Sequence, residues 1–164
     1  MVNFRETFGR RPDWLSLDTV YLHTIYAGMV DDFTQCMVSN SRMAARAITR
    51  RYDAYLRPHG LTATQLSLMG AIRQMPGSTV SHLAEVRGFE RTTLTRNLDK
   101  LEQMDLVASA AAGRGRVPAL TRKGAALIDE LLPLWRQAQA DLRAELSSKT
   151  FDDSINTLKR LSKV

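Results

Sequence analysis

The sequence has little cysteine and no cluster of potential metal ligands. Its 164 residues include one cysteine, Cys36, so an intramolecular disulfide is excluded and an intracellular location is expected. The three histidines are scattered and have no cysteines beside them, so neither a metal site nor another cofactor is predicted. No G-x-S-x-G, H-E-x-x-H or C-x-x-C motif is present, so the sequence does not predict an enzyme.

Long hydrophobic runs are also missing. The N-terminal stretch MVNFRETFGRRPDWLSLD has no apolar segment of the kind that a signal peptide requires. No other run reaches the length of about 20 residues that a membrane-spanning helix needs. A cytoplasmic protein without a membrane partner is therefore expected.

Basic charge is what the sequence has in excess. The formal net charge is +6, the sequence pI is about 9.9, and 44% of the residues are hydrophobic. The hydrophobic fraction is enough for the core of one ordinary domain. The charge indicates a polyanionic partner, with nucleic acid as the first candidate and an anionic membrane surface as the second.

Hydrophobic periodicity and capping residues predict six helices and one hairpin. A long helix runs from Asp31 to about Arg57, and a second begins at a Thr62–Gln65 capping box. A short helix capped by Ser78 or Thr79 follows, and then a fourth helix. After two extended pieces, two more helices follow, one capped by Thr121 and one amphipathic at the C-terminus. The predicted fold class is mostly α with a small β-hairpin.

The stretch GFERTTLTRNLDKLEQMDLV, residues 88–107, contains the fourth helix and has an unusual exposed face. At about 100° per residue, Leu98 and Leu101 fall roughly 40° and −20° from Leu94, so the three leucines form a buried stripe. The opposite face and its shoulder carry short hydroxyls and arginine, namely Thr92, Thr93, Thr95 and Arg96.

Two helices joined by a tight turn at Gly88 are typical of a helix-turn-helix, whose second helix enters the major groove. An arginine there can donate two hydrogen bonds to guanine, and threonines can contact bases, phosphates or thymine methyl groups. The helix N-terminus adds attraction for phosphate. The alternative is a solvated helix face. The predicted contacts of this region with bases and phosphates are Ser78, Arg91, Thr92, Thr93, Thr95, Arg96 and Lys100.

The segment GRGRV after this helix forms the tip of a predicted two-stranded wing, with Pro118 on an unpaired edge. Arg114 and Arg116 suit the narrow minor groove, where the potential is most negative. No Gly-Lys-Ser/Thr follows the glycines, so a phosphate-binding loop for nucleotides is disfavoured. Helix-turn-helix and wing together predict a winged helix-turn-helix lobe.

Three segments resemble the MarR family of transcription regulators: YDAYLRPHGLTATQLSLMGAI, VSHLAEVRGFERTTLTRNLDKLEQMDLV and LTRKGAALIDELLPLW. The resemblance covers roughly residues 33–162. It implies a homodimer that binds a pseudo-palindromic operator in double-stranded DNA, usually as a repressor, and that a small phenolic or aromatic carboxylate effector releases. The implied domains are an N-terminal extension (1–32), a helical dimerisation region (33–60 and 122–164) and a winged lobe (61–121).

The terminal helices carry apolar stripes beyond what the core of the lobe needs, which favours burial across a two-fold axis over a monomer. The residues expected to need a partner are Met37, Ile48, Leu131, Leu134, Trp135, Leu142, Phe151, Ile155 and Leu158.

Two positions depart from the pattern of the family. Ala112 stands where the family usually has an aspartate that braces the wing, so Arg114 is expected to be more mobile or to share its role with Arg116. Asp105 stands where the family often has a glycine, and aspartate tolerates the left-handed conformation at modest cost.

Two sensing mechanisms remain open. Arg46 or Arg50 can pair with an effector carboxylate, with apolar walls from Tyr52, Met69, Met75 and Trp135, although each residue also fits a purely structural role. Alternatively, Cys36 can act in redox sensing, although the nearby Asp31 and Asp32 disfavour a thiolate and a small buried cysteine is the plainer interpretation. A winged helix can also act as a protein-interaction module, which lacks the strong salt dependence of DNA binding.

Overall fold

The computed structural model describes residues 33–113 and 115–163. The chain divides into two compact units, Met1–Met43 and Ala44–Val164. The extra helix or arm expected before residue 31 lies outside the described residues.

Within residues 33–113 and 115–163, six helices and one hairpin follow in the predicted order. A 3-10 turn, Phe33–Gln35, precedes the first of these helices, which therefore begins later than the expected Asp31. A second 3-10 turn, Arg57–His59, follows it. The elements are α1 (Met37–Leu56), α2 (Ala63–Gln74), α3 (Val80–Arg87), α4 (Arg91–Gln103), β1 (Val107–Ala112), β2 (Gly115–Leu120), α5 (Arg122–Leu146) and α6 (Ser148–Leu161). The predicted fold class is confirmed.

Capping side chains fix the starts of the helices in the winged lobe. The capping box of α2 is complete, since the Thr62 N–H donates to Gln65 Oε1 at 2.9 Å and the Gln65 N–H donates to Thr62 Oγ1 at 3.3 Å. Of the two predicted caps for α3, Thr79 is the one observed. Gly88 ends α3 at a φ of 64°, a left-handed conformation that glycine adopts without strain.

The core of the winged lobe consists mainly of leucines. The predicted stripe is buried, with Leu94, Leu98 and Leu101 at 1%, 0% and 0% exposure. Leu131 and Phe151, which were expected to need a partner, are buried within this chain, so that expectation was wrong for both. Leu131 packs into the leucine core. The guanidinium of Arg143 lies over Phe151, 4.5 Å from the centre of the Phe151 ring.

The hairpin pairs β1 and β2 antiparallel, from Val107 opposite Leu120 to Ala112 opposite Gly115. Pro118 lies opposite Ser109. A two-stranded sheet leaves the outer edge of each strand unpaired, so the missing N–H of proline is tolerated there.

The end of α4 and the start of α5 meet at a close junction. A Cβ added to Gly124 would lie 1.9 Å from the Leu106 carbonyl oxygen, so only glycine fits this approach. The Thr121 hydroxyl caps α5 and donates to the Asp105 carbonyl at 2.8 Å. Asp105 has a φ of 58°, the left-handed conformation expected at this position.

Helix α5 is a single helix from Arg122 to Leu146 and is not interrupted at Pro133. The kink that was expected at Pro133 stays a prediction. Among the described residues, no helix is long and apolar enough to cross a membrane.

Candidate nucleic-acid interface and cavity

The face of α4 opposite the leucine stripe is exposed, as the helical spacing predicted. Thr92, Thr93 and Arg96 are exposed, and so is Lys100 further along the helix. Thr95 is half-buried on the shoulder, and its hydroxyl donates to the Arg91 carbonyl at 3.0 Å. The groups most accessible for base contacts are therefore the side chains of Thr92, Thr93 and Arg96.

The N-terminus of α4 is capped by a carboxylate. Glu90 accepts hydrogen bonds from the N–H groups of Thr92 at 2.9 Å and Thr93 at 2.7 Å. Because these backbone donors stabilise the charged form, they lower the pKa of Glu90 to about 2. Two of the N–H groups at this helix end therefore already have a protein partner, and the attraction of the helix N-terminus for phosphate stays a prediction.

Two predicted phosphate contacts lie at the starts of the two helices of the helix-turn-helix, Ser78 before α3 and Arg91 at the start of α4. The Arg91 Nη2 donates to Ser81 Oγ of α3 at 3.1 Å, which ties the two helices of the helix-turn-helix together. Ser78 is half-buried just before α3, and its backbone N–H donates to the Met75 carbonyl at 3.2 Å.

The wing places one of its two arginines against α4. Arg116 Nη1 donates to Asp99 Oδ1 at 3.0 Å and its Nη2 donates to Glu102 Oε2 at 2.5 Å. Hydrogen bonds to Glu102 and then to Asp99 raise the pKa of Arg116 above its ordinary value. Arg114, the other predicted wing contact, lies outside the described residues. Neither ion pair could be predicted from the sequence, because they join residues 14 and 17 positions apart.

A cavity of about 430 Å³ is formed by residues of α1, α2, α3 and α5. Tyr52 and Trp135, two of the predicted ligand contacts, line it. Met69 is fully buried outside the lining, and Arg46 and Arg50 are exposed residues that do not line it. Apolar side chains form most of the remaining wall, namely Ile48, Leu56, Leu66, Ile128 and Leu132.

Arg87 alone is charged among the described residues that line this cavity. Its Nη2 donates to Gln74 Oε1, a neutral amide that leaves the guanidinium charge uncompensated. Burial raises the pKa of Tyr52, which keeps its phenol protonated and able to donate. Arg87 could not be predicted as a cavity residue, because a position at the end of a short helix does not reveal which side its side chain faces.

Cys36 is half-buried between the first 3-10 turn and α1. Its carbonyl accepts from the Asn40 backbone N–H at 3.0 Å and from Asn40 Nδ2 at 2.9 Å. These bonds involve the backbone and not the thiol. The cysteine that was expected to be buried is half-buried, and its redox role stays a prediction. Within the described part of the chain, no three potential metal ligands cluster.

The arrangement of a helix-turn-helix, a polar reading face and a hairpin wing defines a winged helix-turn-helix DNA-binding protein. The MarR family model matches residues 59–116. The transcriptional regulator MosR of M. tuberculosis is 36% identical, and the match covers 80% of this chain and 99% of MosR with a TM-score of 0.70. The chain belongs to the MarR family of DNA-binding transcription regulators.

Two further solved structures agree with this assignment. MosR in complex with DNA matches at 38% identity, over 79% of this chain and 95% of that chain, with a TM-score of 0.71. Wild-type MarR of E. coli, in its apo form, matches at 27% identity, over 77% and 94% of the two chains, with a TM-score of 0.60.

Proposed function

We propose that the chain is a homodimeric, sequence-specific repressor that an anionic aromatic effector releases from its operator. The observation that carries the DNA-reading part is the exposed face of α4. Arg96 can donate to a guanine edge, and Thr92 and Thr93 are short enough to let the helix approach the bases. Lys100, Arg91 and Ser78 are proposed phosphate contacts, and Arg114 is the proposed minor-groove contact.

The homodimer is proposed from apolar side chains that one chain leaves exposed. Trp135 is 41% exposed and Leu158 is 51% exposed, although each lies on the same helical stripe as a buried residue, Leu131 and Phe151 respectively. Covering such residues with a second copy across a two-fold axis removes apolar surface from water. We assign residues 33–60 and 122–164 to this dimerisation region and residues 61–121 to the DNA-binding lobe. Among the described residues, the large apolar side chains exposed in the dimerisation region are Met37, Val38, Met43, Ile48, Trp135, Leu146, Leu158 and Leu161, and Val86 is exposed in the lobe.

The effector is proposed from the cavity. A volume of about 430 Å³ with apolar walls suits a small aromatic molecule, and Tyr52 and Trp135 offer ring surfaces. The uncompensated charge of Arg87 favours a carboxylate or phenolate on that molecule. Because Arg87 ends α3, directly before the turn into α4, a ligand that draws Arg87 into the cavity acts on the reading helix.

The first experiment is a mobility shift on DNA that flanks the gene, titrated with salt and then with a panel of aromatic acids and peroxide. Tight binding that prefers one fragment and weakens steeply with salt supports the regulator. Absence of binding to any fragment at low salt contradicts it and favours a protein-interaction module. Release by peroxide in the wild type but not in Cys36→Ser would support the redox alternative instead.

The proposed contact between Arg87 and the anionic group of the effector is tested with paired variants. Arg87→Ala is expected to weaken release by an aromatic acid by about ten-fold or more, since a charge-assisted hydrogen bond to the ligand is lost. Arg50→Ala, which removes the same charge from an exposed position outside the cavity, serves as the control. If Arg50→Ala reduces release while Arg87→Ala does not, Arg87 is not the residue that binds the effector.

A further inference from the structure

The outer half of the wing has little apolar surface with which to pack. Strand β1 reads VASAAA, and Ala108, Ala110, Ala111 and Ala112 are exposed. A two-stranded hairpin is at best marginally stable when it stands alone. Val107 and Pro118 are buried nearer its base, so hydrophobic burial holds the base and not the tip.

Arg116 supplies a connection where these alanines cannot. It lies opposite Ala111, one pair from the end of the ladder. Its guanidinium donates through two different nitrogens to two different carboxylates, Asp99 and Glu102. The planar group fixes the direction of both bonds, so the pair restrains orientation as well as distance.

The two carboxylates lie along one edge of the reading face of α4. Residues three apart on a helix are neighbours, so Asp99 and Glu102 form a single acceptor site. With Leu94 at zero, they fall at roughly 140° and 80°, on either side of Thr95 at roughly 100°. The connection from the wing therefore reaches α4 beside the residues that face DNA.

The charges also matter for a polyanionic partner. Two unpaired carboxylates beside a DNA-reading face would repel phosphate, and Arg116 neutralises part of that charge. The same bonds occupy the guanidinium of Arg116, which is then less available to the minor groove.

We propose that Arg116 is a positioning residue that holds the wing against the reading helix through Asp99 and Glu102. It acts on DNA through the placement of the wing and of α4, rather than by contacting DNA itself. The inference depends on DNA binding by the family and is independent of the effector and of the cavity.

The test is a double-mutant cycle on the full-length protein. Operator duplex is first selected from random duplexes by the wild-type protein. Affinity is then measured by fluorescence anisotropy for Arg116→Ala, for Asp99→Asn with Glu102→Gln, and for the triple variant. Each is measured on operator and on non-specific duplex at several salt concentrations, and thermal unfolding checks that every variant is folded.

A positioning role predicts that Arg116→Ala weakens operator binding roughly three- to ten-fold, in line with two partly exposed ion pairs. The loss disappears in the background without the two carboxylates. Non-specific binding falls less than operator binding, because only the repulsion by the unpaired carboxylates acts on it, and the salt slope changes little because no phosphate contact is lost. Arg116→Lys restores part of the affinity, because one ammonium cannot reproduce the two directed bonds.

A direct DNA contact predicts the opposite pattern. Arg116→Ala would then cost the same in both backgrounds, lower the salt slope by about one, and be rescued fully by lysine. That pattern, or no loss of operator affinity at all, overturns the proposal. Should Arg116→Ala fail to fold, Arg116→Lys in the two backgrounds gives the same comparison.

Discussion

The winged lobe and the terminal helices bury their apolar residues to different degrees. In the lobe, Leu98 and Leu101 are both 0% exposed, and capping residues close the starts of its helices. In the terminal helices, Trp135 and Leu158 remain 41% and 51% exposed in the single chain. The lobe is thus a structure that one chain can complete, whereas the terminal helices leave apolar surface for a partner to cover.

The largest expected effect comes from the junction that completes the lobe. Gly124→Ala places a methyl group against the Leu106 carbonyl oxygen, a backbone atom that cannot turn away. We expect destabilisation of about 3 kcal/mol or more, measured by denaturant unfolding, together with loss of DNA binding.

Gly70→Ala is the matched control, because a Cβ there meets no atom within 4 Å. It lies inside α2, so alanine is expected to stabilise by about 0.5–1 kcal/mol. Similar unfolding midpoints for the two variants would show that the approach at Gly124 is not tight.

A pair of leucine truncations tests the comparison directly. Leu101→Ala removes a fully buried side chain and is expected to cost about 2–5 kcal/mol at any protein concentration. Leu158→Ala removes an exposed one and is expected to act on the monomer–dimer equilibrium instead. Unfolding at two protein concentrations and analytical ultracentrifugation separate the two effects. Equal, concentration-independent losses would show that the terminal helices need no partner.

The exposed face of the lobe differs from that of the terminal helices, because it is polar. Arg96→Ala is expected to remove about 1–3 kcal/mol of preference for operator over non-specific DNA, since a bidentate contact to guanine is lost. Competition binding measures this preference, and Arg160→Ala on α6 controls for the loss of one positive charge. An Arg96→Ala protein with full affinity and full preference would contradict the assignment of α4 as the reading helix.

The smallest expected effect concerns the cap of α4. Since the pKa of Glu90 is lowered from 4.5 to about 2 in the folded state, its contribution to stability is complete above about pH 4.5. That contribution is lost as the pH falls toward 2. The melting temperature of Glu90→Gln is therefore expected to lie slightly below that of the wild type at neutral pH and to converge with it in acid. A constant difference across this range would rule out the charged cap.

The parts of the fold that follow from local spacing were predictable. The leucine stripe of α4, the Thr62–Gln65 box and the turn at Gly88 each depend on residues within one or two helical turns. Glu90 was missed as a cap because glutamate is uncommon there compared with Ser, Thr, Asp and Asn.

The parts that depend on contacts between distant residues were not predictable. The bonds from Arg116 to Asp99 and Glu102 require the hairpin to fold back on α4, and no periodicity reports that. The same holds for the cavity, where the sequence pointed to Arg46 and Arg50 as anion partners and the lining contains Arg87 instead.

The junction between α4 and α5 also determines how movement can pass through the molecule. Lys123 Nζ donates to the Met104 carbonyl at 2.8 Å, and the Thr121 N–H donates to the Leu106 carbonyl at 3.1 Å. Gly124 packs against the backbone of Leu106 at the same place, so the contacts at this junction leave little room for α4 and α5 to move relative to each other. A small tilt of α5 is therefore expected to move the end of α4 with it.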